Sequence, residues 1–370
     1  MYQNDVEMPK SVYLLNHSVG RPLKSLRQAF DERFFLPWQG SGREPWGDWL
    51  SVIEDFRAQL AKLFNSEARL FCPQVNLSSG LTKLVQSLPR LRRPGAVILM
   101  SENDFPSMGF ALQQALPEAQ IRFIPAELDV SLPEVWQAYL TDDIDLVFIS
   151  HAYSNTGQQA PLDYLVPKVR QLGALSVVDV AQAAGVLPLD LSVLEPDFML
   201  GSSVKWLCGG PGAAYLWVNA EQLAHCSPQD VGWFSHENPF EFDIHHFRYH
   251  DSALKFWGGT PSVAPYAIAA HSIGYFAELG ANKVRQHNLM QLQRIWNQVG
   301  EALVSPSDSA RCSGTAILNF GVAQQQVVEA LTQADISLDV RKQGMRISPH
   351  IYNGEQDIQR LLEALVPFCR

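Results

Sequence analysis

The 370-residue chain is 46% hydrophobic and 18% charged, a globular balance that excludes intrinsic disorder and allows a large core beside a smaller one. A net charge of −10 without long runs of one sign argues against nucleic acid as a partner. Five scattered cysteines (Cys72, Cys208, Cys226, Cys312 and Cys369) include no C-x-x-C pair, which speaks against a disulfide framework or a structural zinc site.

Residues 1–10 are polar and lack the apolar stretch of a signal peptide, and no run approaches the roughly 20 apolar residues of a membrane span. The expectation is a cytoplasmic protein with no membrane or nucleic-acid partner. From about residue 65 to 220, short apolar runs alternate with amphipathic stretches. Helix is predicted at 77–88, strand at 96–100 (AVILM), helix at 107–116 and strand at 121–124. Strand follows at 145–150 (DLVFIS), helix at 164–172, then strands at 175–180, 197–200 and 213–218. That alternation predicts an α/β fold with a mainly parallel sheet covered on both faces.

Residues 230–251, rich in aromatics and histidines, read as a long loop between domains, and such loops tend to carry function. His246 and His250 have the spacing of helical metal ligands, but the segment is loop-like and no H-E-x-x-H motif surrounds them or His245. They read as surface histidines, with no metal expected. Beyond them, 261–301 is largely helical, followed by strand 315–320, helix 324–334, strands 336–340 and 345–347, and helix 355–365. The predicted division is a large α/β domain over 31–254 and a small α+β domain built from 1–30 and 255–370.

Parallel α/β sheets bind ligands at the carboxyl ends of their strands. Asp179 ends one predicted strand and Lys205 follows the next, just before the glycine turn Cys208-Gly209-Gly210-Pro211-Gly212. Taken singly, Asp179 reads equally as a helix cap and Lys205 as a surface lysine. Together they match the needs of a pyridoxal cofactor, a lysine for the Schiff base and an acid beside the pyridine nitrogen. Ser78 and Ser79 open a helix, where free backbone N–H groups favour a phosphate, and Ser202 and Ser203 precede the lysine.

The run V-V-D-V-A-Q-A-A-G-V-L-P-L-D-L, followed by D-F-M-L-G-S-S-V-K-W-L-C-G-G-P-G, resembles the class V aminotransferase group of fold-type I pyridoxal-5′-phosphate (PLP) enzymes. The resemblance extends to I-S-H-A-Y-S-N-T-G-Q, G-G-T-P and R-I-S-P-H-I-Y-N. It implies that Lys205 is the Schiff-base lysine, Asp179 the partner of the pyridine nitrogen and Gln182 that of the ring hydroxyl. Ser78, Ser79, Ser202 and Ser203 become phosphate ligands. Thr260 is similar to a threonine that reaches the phosphate of the neighbouring subunit, which implies a homodimer with the active site at its interface. Arg346 resembles the arginine that clamps the α-carboxylate of an amino-acid substrate, a role that suits a planar guanidinium. Lys205, once freed by the substrate, would serve as general base or acid on the α-proton.

Within that group the chain is most similar to kynureninases. Tyr13–Gly20, which holds Asn16, resembles their opening segment, and 42–46 a stretch upstream of the phosphate helix. Asn103-Asp104-Phe105-Pro106-Ser107 matches their N-F-P-S pattern, which places Phe105 on the pyridoxal ring. Gly232-Trp233-Phe234-Ser235-His236 is similar to their G-W-x-G-H loop, which places Trp233, with Asn16, near the substrate. The chain departs from them at Val204, Met108 and Gln182, where kynureninases carry tyrosine, aspartate and histidine. The first expectation is a kynureninase-type hydrolytic C–C lyase. A class V aminotransferase or β-eliminating lyase is the alternative. Cysteine desulfurase needs a reactive cysteine on the loop before the C-terminal arginine, and 338–346 contains none. A non-catalytic PLP-binding protein would have no need of Arg346 beside Lys205 and Asp179.

Overall fold

A computed structural model describes residues 2–369. Seven short runs form the main sheet: β1 (Phe71–Gln74), β2 (Val97–Ser101), β3 (Gln120–Ile124), β4 (Leu146–Ser150), β5 (Leu175–Asp179), β6 (Phe198–Ser202) and β7 (Ala214–Val218). Their spatial order is β1-β7-β6-β5-β4-β2-β3. Strands β3, β2, β4, β5 and β6 run parallel, while β7 is antiparallel to both β6 and β1. Strands β2, β4 and β5 are buried at every position, because helices cover both faces. Strand order reverses between β2 and β4, which opens a crevice at their carboxyl ends.

The helix Trp46–Phe64 shows why the covering layers form. Val52, Ile53, Phe56, Leu60 and Phe64 recur at helical spacing and are buried, and Asn65 ends the helix in the left-handed conformation (φ 51°). Phe56 meets Tyr266 of helix Ala264–Leu279 with ring centroids 4.8 Å apart, and Tyr215 of β7 at 6.4 Å. That later helix therefore sits on the core of the main sheet. A second core is drawn from Val12 and Leu14 and from Leu292, Ile295, Met345, Ile347, Ile358 and Leu361. It backs a three-stranded antiparallel sheet of Asp339–Arg341, Gly344–Ile347 and Ala316–Leu318.

The single strand expected over 336–340 is two. Ile336–Ser337 pairs in parallel with Val12–Tyr13, and after Leu338 the chain changes partner so that Asp339–Arg341 joins the hairpin. No helix among the described residues is long and apolar enough to cross a membrane.

Because Phe56 is fully buried between two aromatic rings, Phe56→Ala should cost about 3–5 kcal/mol. A chemical-denaturation midpoint unchanged from wild type would show that this contact does not hold the helix layer to the sheet.

Candidate active site

At the strand-order reversal lies a cavity of about 220 Å³. Each wall is the continuation of a strand. Asn103, Phe105, Ser107 and Met108 come from the turn and helix after β2, and Ser150 and Ala152–Ser154 (152–154) from the end of β4. Asp179 and Gln182 follow β5, and Ser202, Val204 and Lys205 follow β6. One end is closed by Asn76, Leu77 and Ser78 at the start of helix Leu77–Ser87. There the Asn76 side chain accepts a hydrogen bond from Ser79 N–H at 2.8 Å, which leaves the first N–H groups of the helix free for an anion.

Lys205 is presented by a tight turn. Cys208 N–H donates to Lys205 O at 3.0 Å and Gly209 N–H to Ser203 O at 2.8 Å, while Cys208 and Gly210 take φ of 54° and 71°. From the other side Gly20 N–H donates to Val204 O at 2.9 Å. A Cβ on Gly20 would stand 2.0 Å from Lys205 O, so only glycine fits there.

Burial lowers the pKa of Lys205, which Asp179 opposes and Arg346 reinforces. Burial raises Asp179, opposed by the Ala181 N–H at 2.8 Å and by the charge of Lys205. The two share the cavity, yet Lys205 joins no ion pair among the described residues. Both Asp104 and Tyr153 are buried, and Asp104 Oδ1 and the Tyr153 hydroxyl have no hydrogen-bond partner among the described residues. Burial raises Asp104 from 3.8 to about 7, with Ser150 and the Ser101 N–H opposing and the charge of Asp179 adding to the rise.

Not every residue singled out from sequence reaches this cavity. Ser79 lies one step away, in an open groove shared with Ser78 and Lys83. Ser203 is turned inward, its hydroxyl donating to Ala213 O at 2.9 Å. Thr260 is exposed beside Gly259 and Pro261 in a separate recess. Trp233 packs edge-on against Trp46 with centroids 6.0 Å apart. Asn16 is buried and donates to Ser348 O at 2.7 Å. Arg346 is gripped by Asp339. Gln182 lines the cavity while its amide donates to His17 O at 3.0 Å. Sequence reading did not single out Asn76, Tyr153 or Ser150. Their signal was position at and beyond a strand's carboxyl end and, for Ser150 and Tyr153, the run I-S-H-A-Y-S-N-T-G-Q.

Residues 47–361 match the family Aminotransferase class-V. The chain belongs to the class V aminotransferase family. Among characterised sequences, it is 25% identical to a kynureninase of Shouchella clausii over 96% of this chain and 87% of that one. It is 28% identical to an isopenicillin N epimerase of Streptomyces clavuligerus over 85% and 84%. In architecture it is similar to a lysine-to-alanine mutant of C-DES with glycine covalently linked to the PLP cofactor, with a TM-score of 0.87, 20% identity and 99% of both chains covered. This class V enzyme has the fold-type I architecture, and it is PLP-dependent. Its cavity suits the cofactor. A buried acid and a desolvated amine flank one space, a helix start offers backbone donors to a phosphate, and Phe105, 57% exposed, offers an open ring face.

The raised pKa of Asp104 makes a prediction about stability. A carboxyl raised on folding contributes fully below its unfolded value of 3.8, and that contribution is lost as pH rises through about 7. Asp104→Asn, which mimics the protonated acid, should remove this loss. The variant should gain stability relative to wild type between those limits, and a pH-independent difference in denaturation midpoint would refute it.

Proposed function

We propose that this enzyme acts on an α-amino acid, with Lys205 as the residue that carries PLP covalently and a kynureninase-type hydrolytic C–C cleavage as its reaction. The observation that carries the reading is that Lys205 and Asp179 line one cavity with Phe105 and the start of helix Leu77–Ser87. Asp179 would hold a proton on the pyridine nitrogen, Gln182 would meet the ring hydroxyl, and Phe105 would stack on the ring. Ser78, Ser202 and the helix N-terminus would take the phosphate, with Ser79 at the rim. The inward hydroxyl of Ser203 supports a structural role instead. When bound, PLP supplies the electron sink for a substrate carbanion. Lys205, its pKa lowered by burial, is fitted to remove and return the proton at the α-carbon. Arg346 would bind the α-carboxylate, with Asn16 and Trp233 at the periphery of the substrate site.

Thr260 lies outside the cavity of its own subunit, which supports a homodimer in which it reaches the partner's phosphate. A division into a large unit over 31–254 and a small one from 1–30 and 255–370 is supported by the second core, with helix Ala264–Leu279 seated on the first. The scattered free cysteines support a cytoplasmic setting.

Transamination or β-elimination is the second reading. It is favoured by Met108 and Val204, which make apolar two wall positions where kynureninases carry polar groups. Sulfur transfer is disfavoured, since no cysteine lines the cavity among the described residues. Cys208, behind the lysine, is pushed up to about 12 by burial and so stays a thiol.

The test compares wild type with Lys205→Ala, both loaded with PLP. Wild type should show the visible band of lysine-bound pyridoxal, and borohydride reduction should leave a pyridoxyl group on the Lys205 peptide in a mass spectrum. Both signals should vanish in the variant. Anthranilate released from kynurenine would support C–C cleavage, whereas a keto acid or pyruvate from the amino-acid panel would move the assignment to transamination or elimination. A label on any other lysine would overturn the role of Lys205.

A further inference from the structure

Arg346 stands directly opposite Asp339 on the antiparallel hairpin that turns at Lys342 and Gln343. Direct cross-strand partners put their side chains on one face. Arg346 Nε donates to Asp339 Oδ1 at 2.8 Å, and its Nη2 donates to Oδ2. The carboxylate is itself braced. His17 Nε2 lies 2.9 Å from Oδ1, and Arg341 Nη2 lies 3.2 Å from Oδ2. His17 is fixed in turn, with Nδ1 2.5 Å from Ser348 Oγ and its backbone N–H donating to the same hydroxyl at 3.1 Å. Burial pushes Asp339 up, but hydrogen bonds from Arg346 and His17, with the charge of Arg346, hold it well below the usual carboxylate range.

Asp339 therefore takes the Nε–Nη2 edge of the guanidinium. The Nη1–Nη2 end remains, and Nη1 lies 3.5 Å from the carbonyl of Ser154, a residue of the cavity wall. A guanidinium held along one edge still has a two-nitrogen fork for a second carboxylate.

We propose that Asp339, braced by His17 and Arg341, is a positioning residue that locks Arg346 so that its Nη fork receives the substrate α-carboxylate in one orientation. This rests on the reading that Arg346 binds that carboxylate. Two opposed effects follow from the pairing. Asp339 offsets part of the arginine charge, which weakens the attraction for a carboxylate. It also fixes the guanidinium plane, and hence which bond of the α-carbon faces Lys205. Rate, more than affinity, is what Asp339 should control.

Asp339→Asn keeps the shape and removes the charge. The probes for the holoenzyme are L-alanine and ethylamine, the same amine without the carboxylate. Binding is read from the visible spectrum of the cofactor, and exchange of the L-alanine α-proton for deuterium by NMR. In Asp339→Asn the exchange rate should fall about tenfold or more, as misorientation alone can produce. Its preference for L-alanine over ethylamine should not fall. Arg346→Ala should lose that preference. Exchange at the wild-type rate in Asp339→Asn overturns the positioning role. So does a loss of preference in it equal to that of Arg346→Ala. Preference retained in Arg346→Ala instead overturns the carboxylate reading beneath it. Should Asp339→Asn fail to fold, His17→Gln withdraws one brace without touching Arg346, and a smaller fall in exchange with preference intact is expected. Unchanged exchange there counts against the proposal.

Discussion

A half-buried amine and a buried acid beyond the ends of neighbouring strands set the terms for the rest of this molecule. β5 and β6 are adjacent and parallel, with Asp179 in register with Leu200, so Asp179 and the turn that carries Lys205 emerge on the same edge of the sheet. Either charge alone would be expensive to bury. Each moderates the shift that burial imposes on the other, yet no direct ion pair forms. Attraction across a gap keeps both groups tolerable in the interior without tying up either one. The glycines of the 208–212 turn and the helix starting at Leu77 are local consequences, since both exist to bring backbone close to that space.

The N-terminal segment is the strap that fastens the two cores together at this point. Val12 and Leu14 belong to the smaller core, while Val6, Leu23 and Leu26 belong to the larger. Between them, Gly20 lies against the Lys205 turn, His17 O accepts the Gln182 amide, and the His17 ring reaches Asp339. A single buried imidazole thus touches the network behind Arg346, while its own backbone carbonyl touches the cavity wall. Burial lowers the pKa of His17 despite the neighbouring carboxylate, which suits a neutral ring acting as a fixed bridge. Separation of the cores would disturb the cavity wall at Gln182 and the Asp339–Arg346 pair at once.

Much of this was legible in the sequence because parallel strands buried on both faces are written as nearly unbroken apolar runs, as β2, β4 and β5 are. Lys205 and Asp179 were legible as residues beyond strand ends. The wall residues Phe105 and Gln182 came only through family resemblance. Helix Trp46–Phe64 and β1 were not anticipated, the second because Phe71–Gln74 carries a proline and a glutamine and has no alternation. Direction of a side chain is harder still to read. Ser202 and Ser203 are neighbours with the same chemistry, but alternation along a strand turns one to the cavity and the other to Ala213. Asp339 could have been found from the hairpin register opposite Arg346, had the strand 336–340 been divided where its partner changes.

Asp104, buried close to Asp179, bears on which carboxyl carries the negative charge. Asp104 and Asp179 are both buried, and the charge of Asp179 raises the pKa of Asp104, so ionising both is costly. Backbone N–H groups bond to both, that of Ser101 to Asp104 and that of Ala181 to Asp179. What separates them is Lys205, whose charge lowers Asp179 and is absent among the groups acting on Asp104. The charge therefore settles on Asp179, at the cavity, and Asp104 holds the proton near neutrality. A protonated Asp104 spares Asp179 a neighbouring anion, and Tyr153, raised well above its ordinary value by burial, stays a neutral phenol beside them.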